Sequence, residues 1–365
     1  MIKSAAGSAA CSASAGPAAF PLDFVHSVDY NHFKLKARFC DLETPRSLRV
    51  IYIFFMKEAD MSIINKKEAR EKLYSLLGDL PDRNRPISAV IIDEKDCGSY
   101  VLEDVLLDLN GIEKVPAYVA KPKNSEGRLP CVIYNHYHGN LYHLGRKEFI
   151  VNEREYSVHE PYAKALTDMG YIAICIDVWN FGERSGRSES ELFKEMLWKG
   201  QVLWGMMMYD YLRSVDYMAS RVDVNTDRIA AMGLSLGSTA SWWLAALDER
   251  IKVTVDICCA TDYDELLRIR NLDGHGIYYY VPSLLKHFTA SDIMSLIAPR
   301  KRLSLNGRFD LLTPIDGLLK IDADMKAEYA SCGKPENWRM LIENCGHMET
   351  SSMRREILGF YKEHL

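Results

Sequence analysis

The chain has 365 residues and a formal net charge of −5 at pH 7, and 48% of its residues are hydrophobic. This apolar share is ample for a large buried core, and the length fits one large α/β domain with extensions. A slightly acidic chain without a run of basic residues among aromatics offers no surface for nucleic acid, so we predict no nucleic-acid partner.

The first 60 residues differ from the rest in composition. Residues 4–19 are rich in Ala, Ser and Gly and have little to bury, which predicts a disordered or loosely packed extension. A secretion signal is the alternative, but its apolar Leu, Ile or Val core is missing. The strongly apolar stretch 48–56 is far shorter than the ~20 residues that span a bilayer, so we predict no membrane helix. We hypothesise that the functional protein begins at Met56 or Met61.

The remainder, residues 61–365, alternates between helical and strand patterns. Helix-like stretches are predicted at residues 66–77, 162–169, 201–219 and 238–247. Short apolar runs predict strands at residues 87–93, 100–109, 115–120, 131–134, 172–177, 228–234, 253–258, 303–306 and 339–342. This order predicts an α/β fold with a mostly parallel sheet of about eight strands, covered by helices on both faces. A small insertion is expected at residues 261–296.

A histidine-rich loop, residues 135–140, follows the strand at residues 131–134. It contains the pair His138-Gly139 and then Asn140. Loops of this kind donate backbone N–H groups to a negatively charged oxygen in esterase sites. We predict that the N–H of Asn140 is such a donor, with Gly139 as the alternative.

The same loop could instead hold a metal ion. The ligands would then be His136, His138 and His143. No acidic or cysteine partner lies nearby at the spacing of a metal site, so we predict no metal.

A serine flanked by glycines lies near the middle of the chain, in Gly233-Leu234-Ser235-Leu236-Gly237. The pattern G-x-S-x-G is typical of a nucleophile elbow, a strained strand-to-helix turn that exposes the serine hydroxyl and needs glycines around it. An apolar strand precedes the turn and a helix-like stretch follows it. We therefore predict Ser235 as a nucleophile and the N–H of Leu236 as an oxyanion donor.

A serine hydroxyl needs a base, and the base needs an acid to orient it. Of the histidines after Ser235, His347 follows a strand and precedes a helix-like tail. Asp310 follows the strand before it, which gives the order serine, acid, histidine that triads have in α/β-hydrolases. Because a histidine base must be neutral and histidines titrate near pH ~6.5, we predict a rate that rises around that pH. The alternative acids lie near an earlier strand end: Asp256, Asp262 and Asp264.

Aromatic residues are concentrated in the insertion at residues 261–296, which contains Tyr278, Tyr279 and Tyr280. An insertion between two late strands would lie over the edge of the sheet that carries the predicted nucleophile. We predict that these tyrosines and Trp179 line a substrate pocket. The alternative is that they pack the insertion onto the domain.

Nine cysteines are scattered along the chain rather than arranged in pairs. Several lie in apolar runs, where cysteine usually acts as a small buried hydrophobe with a free thiol. This usage predicts a reducing compartment and a cytoplasmic protein.

Several segments together resemble the acetyl xylan esterase and dienelactone-hydrolase-like branch of the α/β-hydrolases. They are residues 134–139, 174–184, 223–233 and 298–300 and the pair Gly346-His347, and the resemblance covers residues 101–365. It implies an α/β-hydrolase fold and hydrolysis of carboxylic esters, often of small acyl groups on sugars, by a serine triad without metal or cofactor. Dienelactone hydrolases proper use a cysteine, so Ser235 points to the esterase side. Asn140 stands where acetyl xylan esterases typically carry an aromatic residue.

These patterns predict a serine carboxylesterase whose partner is a small-molecule ester. Three alternatives remain open: a prolyl-oligopeptidase-like peptidase, a lactonase, and a non-catalytic binding protein on a hydrolase scaffold. The peptidase normally carries a large gating domain, for which the chain is too short. Acyl length, the alcohol part of the substrate and the oligomeric state are not encoded in these patterns.

Overall fold

The computed structural model describes residues 66–151 and 159–365. The chain divides into two units, residues 1–58 and 59–365, and the sheet and its helices belong to the second. The predicted extension, residues 1–60, and the proposed starts at Met56 and Met61 lie outside the described residues.

The described residues of this unit form a central nine-stranded sheet, with the strand order β1-β2-β3-β5-β4-β6-β7-β8-β9. The strands are β1 (Ser88–Asp96), β2 (Tyr100–Asp108), β3 (Val115–Pro122), β4 (Leu129–Asn135), β5 (Ile172–Ile176), β6 (Val224–Leu234), β7 (Ile251–Ile257), β8 (Lys301–Gly307) and β9 (Trp338–Glu343). Strands β5, β4, β6, β7, β8 and β9 pair in parallel. Strands β1, β2, β3 and β5 pair antiparallel.

Helices cover both faces of the sheet. They are α1 (Lys66–Ser75), α2 (Tyr162–Asp168), α3 (Glu189–Trp198), α4 (Leu203–Ser220), α5 (Leu236–Leu247), α6 (Tyr263–Ile269), α7 (Ala290–Ser295), α8 (Ile315–Ser331) and α9 (Ser351–His364). The alternating side chains of β5 contribute to the cores on both faces of the sheet. Ile172, Ile174 and Ile176 belong to the core cluster on one face. Ala173 and Cys175 point the other way and pack with α2 and α9.

The predicted α/β-hydrolase fold is confirmed, and the described part of the chain contains nine strands rather than about eight. Each predicted strand coincides with an observed one to within a few residues at its ends. Helix α8 was not predicted, because its charged residues obscure the apolar face. That face emerges only from burial, at the helical spacing of Leu318, Ile321, Met325 and Tyr329.

The buried cysteines match the expected small apolar role. Cys131 and Cys175 are free thiols inside β4 and β5, and Cys258 and Cys259 follow β7 directly instead of lying within it. Within the described stretches, no helix combines the length and the apolar character that crossing a bilayer requires.

Candidate active site

Ser235 lies at the sharp turn between β6 and α5, with φ of 59° and ψ of −118°. A positive φ is strained for a residue with a Cβ, as expected of a nucleophile elbow. The glycines on either side allow this turn to approach the end of β4. A Cβ on Gly233 would lie 2.3 Å from the carbonyl oxygen of Asn135, and a Cβ on Gly237 would lie 1.9 Å from it.

His347 and Asp310 lie within hydrogen-bond distance of each other and of this serine. The Oγ of Ser235 is 2.7 Å from Nε2 of His347, and Nδ1 of His347 is 2.7 Å from Oδ2 of Asp310. Asp310 follows β8 and His347 follows β9, so neighbouring parallel strands bring both residues to the same edge of the sheet. The structure thus brings together the three residues that the sequence predicted, across sequence separations of 112 and 37 residues.

The environment of Asp310 favours its charged form. Burial by itself would raise the pKa of this carboxyl, but the hydrogen bond and charge interaction with His347, together with hydrogen bonds from Leu312 and Thr313, outweigh it and lower the pKa below its usual range. Oδ1 also accepts a hydrogen bond from the N–H of Leu312, at 2.9 Å. An ionised Asp310 requires the proton of His347 to reside on Nδ1, which leaves Nε2 free to accept the proton of Ser235.

The alternative acids are engaged elsewhere. Asp256 is fully buried and accepts hydrogen bonds from Nε of Arg302, at 2.7 Å, and from the hydroxyl of Ser304, at 2.6 Å. Asp262 caps the start of α6 and accepts a hydrogen bond from Lys320, at 2.6 Å. Asp264 lies in the first turn of α6 and is exposed.

Leu236 is the first residue of α5, so its N–H lies in the first turn, where the helix offers no acceptor, beside Ser235. Asn140 differs, because it is exposed and its N–H donates to Nδ1 of His138, at 3.1 Å. This hydrogen bond would have to break before Asn140 could donate to an oxyanion. The assignment of Asn140 and of its alternative Gly139 therefore stays a prediction.

One set of contacts that the sequence did not predict joins the histidine-rich loop to the insertion. Nε2 of His138 is 3.0 Å from the hydroxyl of Tyr278. Because Nδ1 of His138 accepts a hydrogen bond, its Nε2 carries the proton and donates to Tyr278. Glu189 accepts the N–H of Tyr278, at 3.1 Å, and the hydroxyl of Tyr142, at 3.2 Å. These partners are as far as 140 residues apart, so no local pattern could have revealed them.

The four aromatic residues predicted to line a pocket separate into three environments. Tyr278 contacts the histidine-rich loop through its hydroxyl. Trp179 is buried beneath the guanidinium of Arg184, whose Cζ lies 4.6 Å from its ring centroid. Tyr279 and Tyr280 line an apolar cavity of about 450 Å³ within the insertion. None of the residues lining that cavity is Ser235, Asp310 or His347, so the substrate-pocket role of these four residues stays a prediction.

The histidines considered as metal ligands do not form a cluster. His136 is buried, its Nδ1 is 3.1 Å from the carbonyl oxygen of Tyr137, and burial lowers its pKa. Across residues 66–151 and 159–365, one set of three potential ligands was found, Cys258, Asp310 and His347, with ligand atoms within 4.8 Å of one another. Two of those three are already joined by the hydrogen bond between Asp310 and His347.

Comparison with known proteins agrees with this architecture. Residues 115–265 match the model of the dienelactone hydrolase family. YtaP of Bacillus subtilis (strain 168), named as an inferred hydrolase, is 48% identical over 300 residues, which are 82% of this chain and the whole of YtaP.

Solved structures share the fold at low sequence identity. A glucuronoyl esterase from Solibacter usitatus superposes with a TM-score of 0.62 at 14% identity, covering 82% of this chain and 92% of that one. The acetyl xylan esterase from Paenibacillus sp. R4 gives a TM-score of 0.52 at 16% identity, covering 82% and 93%. The family match, the extent of the relative and the shared fold lead to one conclusion: the chain belongs to the dienelactone hydrolase family of the α/β-hydrolases.

Proposed function

We propose that this protein is a serine carboxylesterase that cleaves small or short-chain carboxylic esters through an acyl-enzyme. The observation that supports it most directly is the unbroken chain of hydrogen bonds from Ser235 through His347 to Asp310, each 2.7 Å long. Such a chain activates a serine because the base stands ready to take its proton and the acid holds the base in one orientation.

Acylation begins when Oγ of Ser235 attacks the ester carbonyl carbon and its proton passes to Nε2 of His347. Asp310 stabilises the imidazolium that forms, because its lowered pKa keeps it ionised. When the tetrahedral intermediate collapses, His347 gives that proton to the leaving alcohol oxygen. The acyl group then remains on Ser235.

Deacylation repeats these steps with water as the nucleophile, and His347 returns its proton to Ser235. In both halves a negative charge develops on the carbonyl oxygen of the substrate. The N–H of Leu236, at the positive end of α5, stabilises this charge together with a second donor from the histidine-rich loop, proposed to be Asn140. Losing one such donor costs about 100 to 1,000-fold in rate in comparable enzymes.

A lactone is the second candidate substrate, because the matching family is named for hydrolysis of a lactone. Lactone opening uses the same steps, except that the alcohol stays attached to the acyl group. The structurally similar acetyl xylan and glucuronoyl esterases are named for esters of sugars. Acetylated sugars should therefore be tested as substrates together with lactones.

The first experiment compares hydrolysis of p-nitrophenyl acetate, butyrate and octanoate by the wild type and by Ser235→Ala. The matched control is Ser238→Ala, three residues further along α5. Its Oγ is buried and has no hydrogen-bond partner within the described part of the chain. We expect turnover by the wild type and Ser238→Ala and a loss of about 10⁴-fold or more in Ser235→Ala.

Equal background hydrolysis in all three proteins would contradict the esterase and favour a binding protein. Cleavage of peptide anilides in preference to acetyl esters would favour the peptidase. Cleavage of lactones alone would favour the lactonase. Preference for acetate over octanoate would support a short acyl pocket.

A further inference from the structure

The apolar cavity of about 450 Å³ lies within the insertion and is separate from the proposed triad. Helix α6 contributes Tyr263 and Leu266 to its wall, and the segment after it contributes Leu272, Tyr280 and Leu284. Small-molecule sites usually have volumes above ~300 Å³, apolar walls and a few polar groups that orient the ligand. The cavity has this character.

Tyr279 lies between the cavity and the loop that carries Asp310, the proposed acid. Its ring lines the cavity and stacks on His275, with ring centroids 5.1 Å apart. Nε2 of His275 in turn is 3.0 Å from the carbonyl oxygen of Leu312, two residues beyond Asp310. A layer of two packed rings therefore separates the cavity from the loop that carries the proposed acid.

Of the described residues that line the cavity, one, Lys286, carries a positive charge. Lys286 and Ser283 are exposed there, while the other lining residues are leucines, tyrosines and a valine. Within the two described stretches Lys286 makes no hydrogen bond or ion pair with a carboxylate, so its ammonium is available to a ligand. No acidic residue is among the described residues that line the cavity, so none of them competes for that charge.

We propose that this cavity binds an amphipathic monocarboxylate, with its hydrocarbon chain against the leucines and tyrosines and its carboxylate beside Lys286. This site goes beyond the esterase activity proposed above and does not depend on it. Each buried methylene adds about 0.8 kcal/mol, so affinity should rise about fourfold per added carbon until the cavity is filled. The exposed charge pair adds less, about 0 to 1 kcal/mol.

Binding of sodium hexanoate and sodium octanoate to the full-length Ser235→Ala protein, measured by isothermal titration calorimetry, tests the proposal without any turnover. We expect saturable binding of both acids, with octanoate about fifteenfold tighter than hexanoate, because it has two more methylenes. 1-Octanol should bind more weakly than octanoate, by up to about fivefold, because it lacks the charge. Absence of saturable octanoate binding overturns the proposal, even if the protein proves to be an active esterase.

Two variants locate the site. Leu284→Trp, with bulk added at the cavity wall, should weaken octanoate binding at least about tenfold. Lys286→Glu should weaken octanoate but not octanol, because only the acid carries a charge. Its matched control is Lys252→Glu, an exposed lysine on β7 that does not line the cavity.

Circular dichroism of Leu284→Trp shows whether weaker binding comes from a filled cavity or from an unfolded protein. Lys286→Glu changes only an exposed residue, so we expect this variant to fold. Octanoate binding that is insensitive to both variants overturns the assignment to this cavity. A second titration uses wild-type protein whose Ser235 carries a small phosphonyl group. Unchanged octanoate affinity supports a separate site, whereas abolished binding places octanoate at the nucleophile and overturns the proposal.

Discussion

Gly237 lies so close to Asn135 that a Cβ on it would stand 1.9 Å from the Asn135 carbonyl oxygen. The contact joins the first turn of α5 to the end of β4, and the conformation of Ser235 depends on it. The second glycine of the elbow is thus required by a neighbouring strand as well as by the turn itself.

Gly237→Ala should destabilise the protein by about 3 kcal/mol, because the added methyl meets a backbone atom that has no room to yield. Esterase activity should fall with it, since the elbow must move. Gly359→Ala in α9 is the control, where a Cβ meets nothing within 4 Å, and it should stabilise the helix by up to about 1 kcal/mol. Urea unfolding of both variants is the measurement, and equal stability would show that the elbow tolerates a side chain.

Asp310→Asn should lower kcat about 10⁴-fold with little change in stability, because an amide no longer holds His347 with its proton on Nδ1. Asp256→Asn should instead lower the stability of the protein and leave kcat unchanged. It leaves the fully buried Arg302 without a charged partner, which costs about 3 kcal/mol or more, while kcat of the folded protein is retained. Comparison of kcat and urea midpoints for the two variants separates these effects. Loss of kcat in folded Asp256→Asn alone would reverse the assignment of the acid.

Tyr278→Phe should reduce kcat/KM about fivefold, because it removes the hydrogen bond of about 1 kcal/mol that ties His138 to the insertion. Tyr280→Phe is matched in chemistry, but its hydroxyl donates to the carbonyl of Leu272 within the insertion and should matter little to the rate. Steady-state kinetics with p-nitrophenyl acetate measures kcat/KM for both variants. Equal effects would mean that the contact with His138 does not position the loop.

The buried carboxylate of Glu103 makes the free energy of unfolding depend on pH. Burial would raise its pKa, but hydrogen bonds from Arg221, at 2.7 Å, and Lys121, at 2.6 Å, lower the pKa below its usual range. A carboxylate with a lowered pKa contributes its full stability above its unfolded-state pKa, ~4.3 for glutamate, and loses it as pH falls through the folded-state value.

Glu103→Gln should therefore cost about 3 kcal/mol at pH 7, and its difference from the wild type should shrink below pH ~4. Unfolding by urea at a series of pH values provides the measurement. Glu94→Gln on the exposed strand β1 is the control and should change stability by less than about 0.5 kcal/mol. A difference between Glu103→Gln and wild type that does not vary with pH would contradict this account.

Deleting residues 1–60 should leave the unfolding temperature and kcat nearly unchanged, because the proposed site is built entirely from residues beyond 134. Calorimetry and kinetics of the shortened and full chains test it. A large loss of either property would contradict the hypothesis that the functional protein begins at Met56 or Met61.

The sequence alone located the strands and the three proposed triad residues. Apolar runs such as residues 172–176 identify buried strands, because each central strand is covered on both faces. Ser235 is recognisable because the elbow needs glycines within two residues. Asp310 and His347 are recognisable because each lies in the loop that follows a strand, and parallel strands end at the same edge of the sheet.

Tertiary structure decided what depends on distant contacts. Asp256 and Asp310 both follow strands or lie near their ends in the sequence, and only packing shows that Arg302 engages the first and His347 the second. The contact of His138 with Tyr278 spans 140 residues, and the apolar cavity forms from segments whose local patterns do not predict it. Local periodicity specifies which face of an element is buried, but the partner it meets depends on how the whole chain packs.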